Sequence, residues 1–168
     1  MPAKSKFKLA TTRDIPALIA LHTAVNEHLA RRAGRDRPAA TPSERAMRFF
    51  MTWKRVYMYM RGQRVIATLE LATRKPWAID VKYFSPCKRP IYLTSMAVHP
   101  KYQRKGIGRH CLEKAARIAK EWPGDAIRLD ADDSPTGAGE FYKKCGYTEV
   151  AHVKYKGHAL IYFEWLLE

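Results

Sequence analysis

Acidic residues are scarce in this chain: 16 Asp plus Glu stand against 31 Lys plus Arg, a formal net charge of +15. Such a balance creates a positive field that attracts polyanions, whether nucleic acid, phosphorylated cofactors or acidic surfaces. Cysteine is also sparse. Cys87, Cys111 and Cys145 are an odd set without CxxC or zinc-ligand spacing, which argues against a disulfide framework and against a structural metal, and points to a reducing cytoplasm. No apolar run approaches the roughly 18–20 residues of a membrane helix. The lysines of Met1 to Lys8 are not followed by an apolar stretch, so no signal-peptide core is expected.

What remains is an ordinary folded composition, with 46% hydrophobic and 11% aromatic residues in 168 positions. That length is one domain's worth, and a single unit over 1–168 is expected. The basic residues run from Lys4 to Lys156, concentrated at Arg31 to Arg37 and Lys101 to Arg109. Spread charge is usually a solvated surface. The second concentration differs because it overlaps a glycine turn.

Leu18, Leu21, Val25 and Leu29 recur at helical spacing after Asp14, a good N-cap, with Pro16 in the first turn and Gly34 at the end. Thr41-Pro42-Ser43-Glu44 reads as a capping box that opens a second helix reaching about Trp53. Val56, Met58 and Met60 alternate, as do Val65, Ala67, Leu69 and Leu71, and the stretch 61–64 between them turns a hairpin. Residues 73–90 contain Pro76, Pro86 and Pro90 and read as a long, partly packed loop. Ile91 to Val98 is β-rich; from Ile107 the positions Cys111, Ala115, Ile118 and Trp122 form a helix face that Pro123-Gly124 ends. A short strand over Ala126 to Asp130, a short helix over Thr136 to Lys144 closed by Gly146, and a terminal strand over Ala159 to Trp165 complete the order. No internal repeat is present.

Gly106 and Gly108 lie where strand gives way to helix. A helix N-terminus leaves backbone N–H groups unpaired and carries about half a positive charge, so a turn feeding it can hold a pyrophosphate. Gln103, Arg104, Lys105 and Arg109 can add donors or charge. Gly106 is not followed by the Lys-Ser/Thr of a P-loop, and Cys111 stands where a dinucleotide fingerprint needs Gly or Ala.

The stretch from Leu93 to Gly108, with its turn Gln103-Arg104-Lys105-Gly106-Ile107-Gly108, resembles the acetyl-CoA-binding motif of the GCN5-related N-acetyltransferases, Gln/Arg-x-x-Gly-x-Gly/Ala. Downstream, Phe141-Tyr142-Lys143-Lys144-Cys145-Gly146-Tyr147 looks like the family's second marker. The resemblance is strongest over 91–150, and element order extends it to nearly the whole chain. It implies an α/β fold of the α+β kind, the acyl-CoA N-acyltransferase fold: a mixed, mostly antiparallel central sheet, splayed near Met96, Ala97 and Val98, with flanking helices. In that fold Met96 to Val98 pair with the cofactor's pantetheine arm, and Gln103, Arg104, Lys105, Gly106, Ile107, Gly108 and Arg109 surround its pyrophosphate. Pro135 stands where the family often has Asn, so a side-chain contact there is absent or moved to Ser134.

Direct transfer of acetyl to an amine needs a neutral nucleophile, a donor for the oxygen that gains charge and a proton for the departing thiolate. The resemblance assigns the proton donor to Tyr142 and the oxygen's donor to the backbone N–H near Val98. For the base, Glu70, Asp80 and His99 are candidates, Glu70 first; Cys111 and Cys145 fall at packing positions. The expected partners are acetyl-CoA and a small-molecule amine or a peptide acceptor, with no metal and no membrane, in a monomer or homodimer. Two other readings stand beside this one. The charge and the aromatics Tyr57, Tyr59 and Tyr102 fit a basic nucleic-acid-binding domain, although no helix-turn-helix, zinc-finger or RNA-recognition signature supports it. A CoA-binding regulatory module without catalysis is the other.

Overall fold

The computed structural model describes residues 4–168; positions 1–3 of the expected domain lie outside the described residues. Seven strands form one sheet in the order β1-β2-β3-β4-β5-β7-β6, with helices flanking it. They are β1 (Ser5–Leu9), β2 (Arg55–Arg61), β3 (Arg64–Ala72), β4 (Pro90–Val98), β5 (Ala126–Asp132), β6 (Thr148–Tyr155) and β7 (His158–Leu166). The sheet is mixed: β1–β2, β2–β3, β5–β7 and β6–β7 pair antiparallel, whereas Pro90, Ile91 and Tyr92 of β4 run parallel to Ala126, Ile127 and Arg128 of β5. Beyond those pairs β4 continues to Val98. The helices are α1 (Ile15–Arg32), α2 (Glu44–Phe50), α3 (Ile107–Glu121) and α4 (Gly139–Lys144).

The chain packs as two compact units, one of residues 4–71 and 95–111, the other of 72–94 and 112–168. In the first, α1 buries Ile15, Leu18, Leu21 and Val25 in a cluster with Met47 of α2 and with Val56 and Met58 of β2. Spacings of three and four put those α1 residues on one face. Pro16 sits in the first turn, and Gly34, at φ +63°, ends the helix as anticipated. Asp14 does not cap α1 with its side chain. Its carboxylate accepts from the N–H and hydroxyl of Thr11, capping the short 3-10 turn Thr12–Asp14 instead.

The start of α2 also differs from the capping box read at Thr41. Ser43 is the N-cap: it is extended, and its Oγ accepts from the Ala46 N–H at 3.2 Å. Thr41 has partners elsewhere, taking hydrogen bonds from the Thr23 hydroxyl and the Asn26 amide of α1. The helix stops at Phe50, three residues before Trp53.

In the second unit β7 is central. Phe163 is wholly buried, and Tyr142 of α4 lies against it with ring centroids 5.6 Å apart. The short helix begins at Gly139 because Thr136 to Ala138 are used in a turn, in which the Gly137 N–H donates to the Ser134 carbonyl.

The long segment before β4 is firmly held. Tyr162 Oη accepts the Asp80 N–H at 3.1 Å and donates to the Ala78 carbonyl. Glu164 accepts the Ser85 N–H at 3.1 Å, Arg128 donates to the Ser85 carbonyl at 2.5 Å, and Asp125 accepts the N–H groups of Lys88 and Arg89. A 3-10 turn, Val81–Tyr83, sits between these anchors.

Candidate functional site

β4 ends at Val98, a 3-10 turn covers Pro100–Tyr102, and α3 starts at Ile107. Between them Arg104 and Gly106 adopt left-handed backbone at φ +58° and +78°. Alternation of that kind turns successive N–H groups towards one concave side, the geometry of an anion nest. The Gly106 carbonyl accepts the His110 N–H at 3.0 Å, so the helical ladder begins there. Ile107 and Gly108 occupy the first positions of α3, where N–H groups have no intrahelical acceptor. A Cβ built on Gly106 would meet no atom within 4 Å, so the space beside it is open. These donors and that open space suit a diphosphate.

Not every residue assigned to the cofactor faces outward. Gln103 donates its amide to the Val98 carbonyl at 3.0 Å, tying the turn back to the strand end, and Lys105 Nζ donates to the Lys101 carbonyl at 3.0 Å. Arg104 and Arg109 are exposed. Ala97 is buried in the core of the first unit, whereas Met96 and Val98, on the opposite side of the strand, are half-buried.

Glu70 is buried in β3, and Lys54 donates to its Oε2 at 2.9 Å; their side chains are only 5% and 11% exposed. Lys54 also lies over the rings of Phe50 and Trp53. Glu70 is thus a charge with a built counter-ion. Its field reaches His22 of α1, whose Nε2 is buried without a hydrogen-bond partner among the described residues; burial holds that imidazole below its ordinary pKa, against the pull of Glu70. The other two base candidates each have local partners of their own. His99 Nδ1 accepts the Lys101 N–H at 3.2 Å, and burial, with Arg64 and Lys101 nearby, lowers its pKa. Asp80 accepts the Lys82 N–H, which lowers its own pKa and makes it a weak base.

In the second unit Tyr142 is buried among aromatic rings, with Phe141, Tyr147 and Phe163 within 5.8 Å of it. Burial pushes its pKa up, and the nearby Asp130 adds to the effect, so the phenol stays protonated at every working pH. Asp130 went unnoticed in the sequence. Burial raises its pKa as well, but alternation puts Asp130 on the face opposite Leu129 and Ala131, which reads as the polar side of the strand and gives no sign of that burial. Ser134 donates to Asp132 Oδ2 at 2.5 Å, so at its 3.4 Å contact with the Thr136 hydroxyl it is the acceptor, with one lone pair left for a further donor. Cys111 is raised to about 12 by burial, in keeping with a packing role.

His152 of β6 bridges the loop that carries Ser134: its Nδ1 lies 2.8 Å from Asp133 and its Nε2 2.5 Å from Glu149. The hydrogen bond to Asp133, then that to Glu149, raises its pKa. A raised folded value means the charged contact is present below the ordinary 6.5 and is lost as pH climbs through the higher value. NMR titration is expected to place the His152 midpoint above 6.5, and Asp133→Asn to lower it. An unchanged midpoint in that variant would deny the bridge.

Known proteins similar to this chain point to one family. The model of the acetyltransferase (GNAT) family matches residues 20–147. The chain is similar to a GCN5-related N-acetyltransferase 4, chloroplastic, of Arabidopsis thaliana, 36% identical over 59 residues, which is 35% of this chain and 20% of that protein. It is also similar to a glucosamine 6-phosphate N-acetyltransferase of Schizosaccharomyces pombe, 32% identical over 72 residues, 42% of this chain and 62% of that protein. The matches thus span about a fifth and about three fifths of the lengths of these curated relatives. Among solved structures, the fold is that of a PaiA N-acetyltransferase from Thermoplasma acidophilum in complex with coenzyme A: TM-score 0.71, 14% identity, 96% of this chain and 99% of that one. With the family model covering most of its length, and with strand, anion-nest turn and helix in the order the resemblance implied, this chain belongs to the acetyltransferase (GNAT) family.

Proposed function

We propose that the chain is an acetyl-CoA-dependent N-acetyltransferase that moves acetyl directly to an amine. The observation that carries this reading is the turn of Arg104 and Gly106, two left-handed residues feeding the N-terminus of α3. In this reading the N–H groups from Gln103 to Arg109 hold the diphosphate, Met96 to Val98 offer strand backbone to the pantetheine arm, and Ser134 accepts a hydrogen bond from the cofactor. Acetyl-CoA, when bound, supplies the activated acyl group. The Val98 N–H donates to the oxygen that gains charge, Tyr142 donates to the departing sulfur and Glu70 takes the amine's proton. Because Glu70 is held by Lys54, a water between the carboxylate and the amine suits that last role. Free thiols at Cys87, Cys111 and Cys145 suit a cytoplasmic location. Among the described residues no helix is long and apolar enough to cross a membrane. The curated S. pombe relative is named for an amino-sugar phosphate, and a net charge of +15 favours an anionic acceptor here too.

The test is CoA release from acetyl-CoA across a panel of amines, beside calorimetric titration with CoA. Turnover of at least one amine is expected. Binding without turnover would leave the regulatory reading, and steeply salt-dependent nucleic-acid binding with no CoA affinity would replace both.

At Gly106 the expected effect is large. A β-branched side chain at φ +78° is strained by about 1–2 kcal/mol and occupies the open side of the turn. Gly106→Val should weaken CoA binding about tenfold or more in calorimetry, since each 1.4 kcal/mol is a factor of ten. Wild-type affinity in that variant would count against the nest.

A further inference from the structure

The second unit has a groove of about 680 Å³ between the anchored segment before β4 and the face of β6–β7. Its walls include Trp77, Tyr83, Tyr155 and Tyr162, and its cations are Lys75, Lys82 and Lys154. Trp77 is 82% exposed and Tyr83 44%, unusual for large rings on a segment pinned at so many points. A volume of this size fits a small molecule.

The charges sort themselves by what they already hold. Lys75 Nζ donates to the carbonyls of Pro76 and Ile79. Lys82 pairs with Asp80 at 3.2 Å and lies over the Tyr83 ring. His152 is engaged by Asp133 and Glu149. Lys154 is exposed and has no ion-pair partner among the described residues. The groove therefore offers one uncommitted cation beside flat apolar surfaces, while its carboxylate, Asp80, is neutralised by Lys82.

Taking the acetyl-transfer reading as given, we infer that this groove selects the acceptor: an amine with a carboxylate or phosphate on a flat apolar body, with Lys154 as the counter-charge. A planar body lies against Trp77 or Tyr83, and a charge-assisted hydrogen bond reaches the anion from Lys154.

The probes share one benzylic amine, so its own reactivity changes little: 4-(aminomethyl)benzoate against 4-(aminomethyl)benzamide, and 4-(aminomethyl)phenyl phosphate against 4-(aminomethyl)phenol. A lower KM is expected for the anionic member of at least one pair, and the pair showing it identifies carboxylate or phosphate. Lys154→Glu should reduce that preference about tenfold, and Lys154→Arg should restore it. Equal KM values within both pairs, or a preference indifferent to Lys154→Glu, would overturn the inference. If no amine turns over, the acetyl-transfer reading has failed, and calorimetry on the same four probes then judges the groove separately. Anion binding abolished by Lys154→Glu upholds Lys154 as the groove's counter-charge; no binding overturns it.

Discussion

Tyr142→Phe is expected to lower kcat about 10²-fold, the low end of the range for a positioned proton donor, while CoA affinity stays within twofold. The substitution removes one hydroxyl from a ring packed against Phe163 and Tyr147, so the fold loses little volume and should keep its stability to within about 1.5 kcal/mol. The low end is chosen for a physical reason. Burial and Asp130 make this phenol more reluctant to ionise than a free one, so it stabilises the departing sulfur chiefly by hydrogen bonding. A raised pKa also fixes the pH behaviour. Deprotonation of Tyr142 should contribute no alkaline limb to the rate below its ordinary value of 10. Single-turnover measurements with the S-acetyl cofactor separate this from slow product release. An unchanged rate in Tyr142→Phe would remove the residue from the chemistry.

Arg128→Leu is expected to destabilise the protein by about 3–5 kcal/mol. The pair it breaks is deeply buried: Arg128 Nε lies 2.9 Å from Glu164 Oε2, with side chains 4% and 3% exposed, and Arg128 also donates to Ser85 and lies over the Phe84 ring. Removing the guanidinium leaves a carboxylate out of water, held by the Ser85 N–H in place of a counter-ion. For a chain of this length the loss corresponds to a Tm lower by about 6–20 °C. The double variant Arg128→Met with Glu164→Leu should regain much of it, because an apolar pair no longer carries an unpaired charge. Denaturant melts decide: a single-variant loss below about 1 kcal/mol would mean the pair is not the clamp described.

The turn at 103–108 was legible because its chemistry needs glycine at fixed spacing beside a helix start, and the structure puts left-handed backbone at Gly106. The hairpin of β2 and β3 was legible from strict alternation. β1 was not: Ser5-Lys6-Phe7-Lys8-Leu9 is short, with two lysines among its five residues, and its pairing with β2 makes it a strand. β6 hid for a related reason. Glu149, His152 and Lys154 break up its apolar residues, and its register shifts between Glu149 and Ala151, which spoils the period of two. The Lys54–Glu70 and Arg128–Glu164 pairs join residues 16 and 36 positions apart, and no local pattern announces a contact of that kind.

The anchors of the segment before β4 divide labour in one direction. Tyr162, Glu164, Arg128 and Asp125 supply side chains, whereas Ala78, Asp80, Ser85, Lys88 and Arg89 are gripped by their main-chain groups. A main-chain group is the same whatever residue bears it. Mutation can therefore rewrite Trp77, Val81, Lys82 or Tyr83 while the path of the segment persists, so selectivity can drift between descendants of this scaffold without the framework being rebuilt.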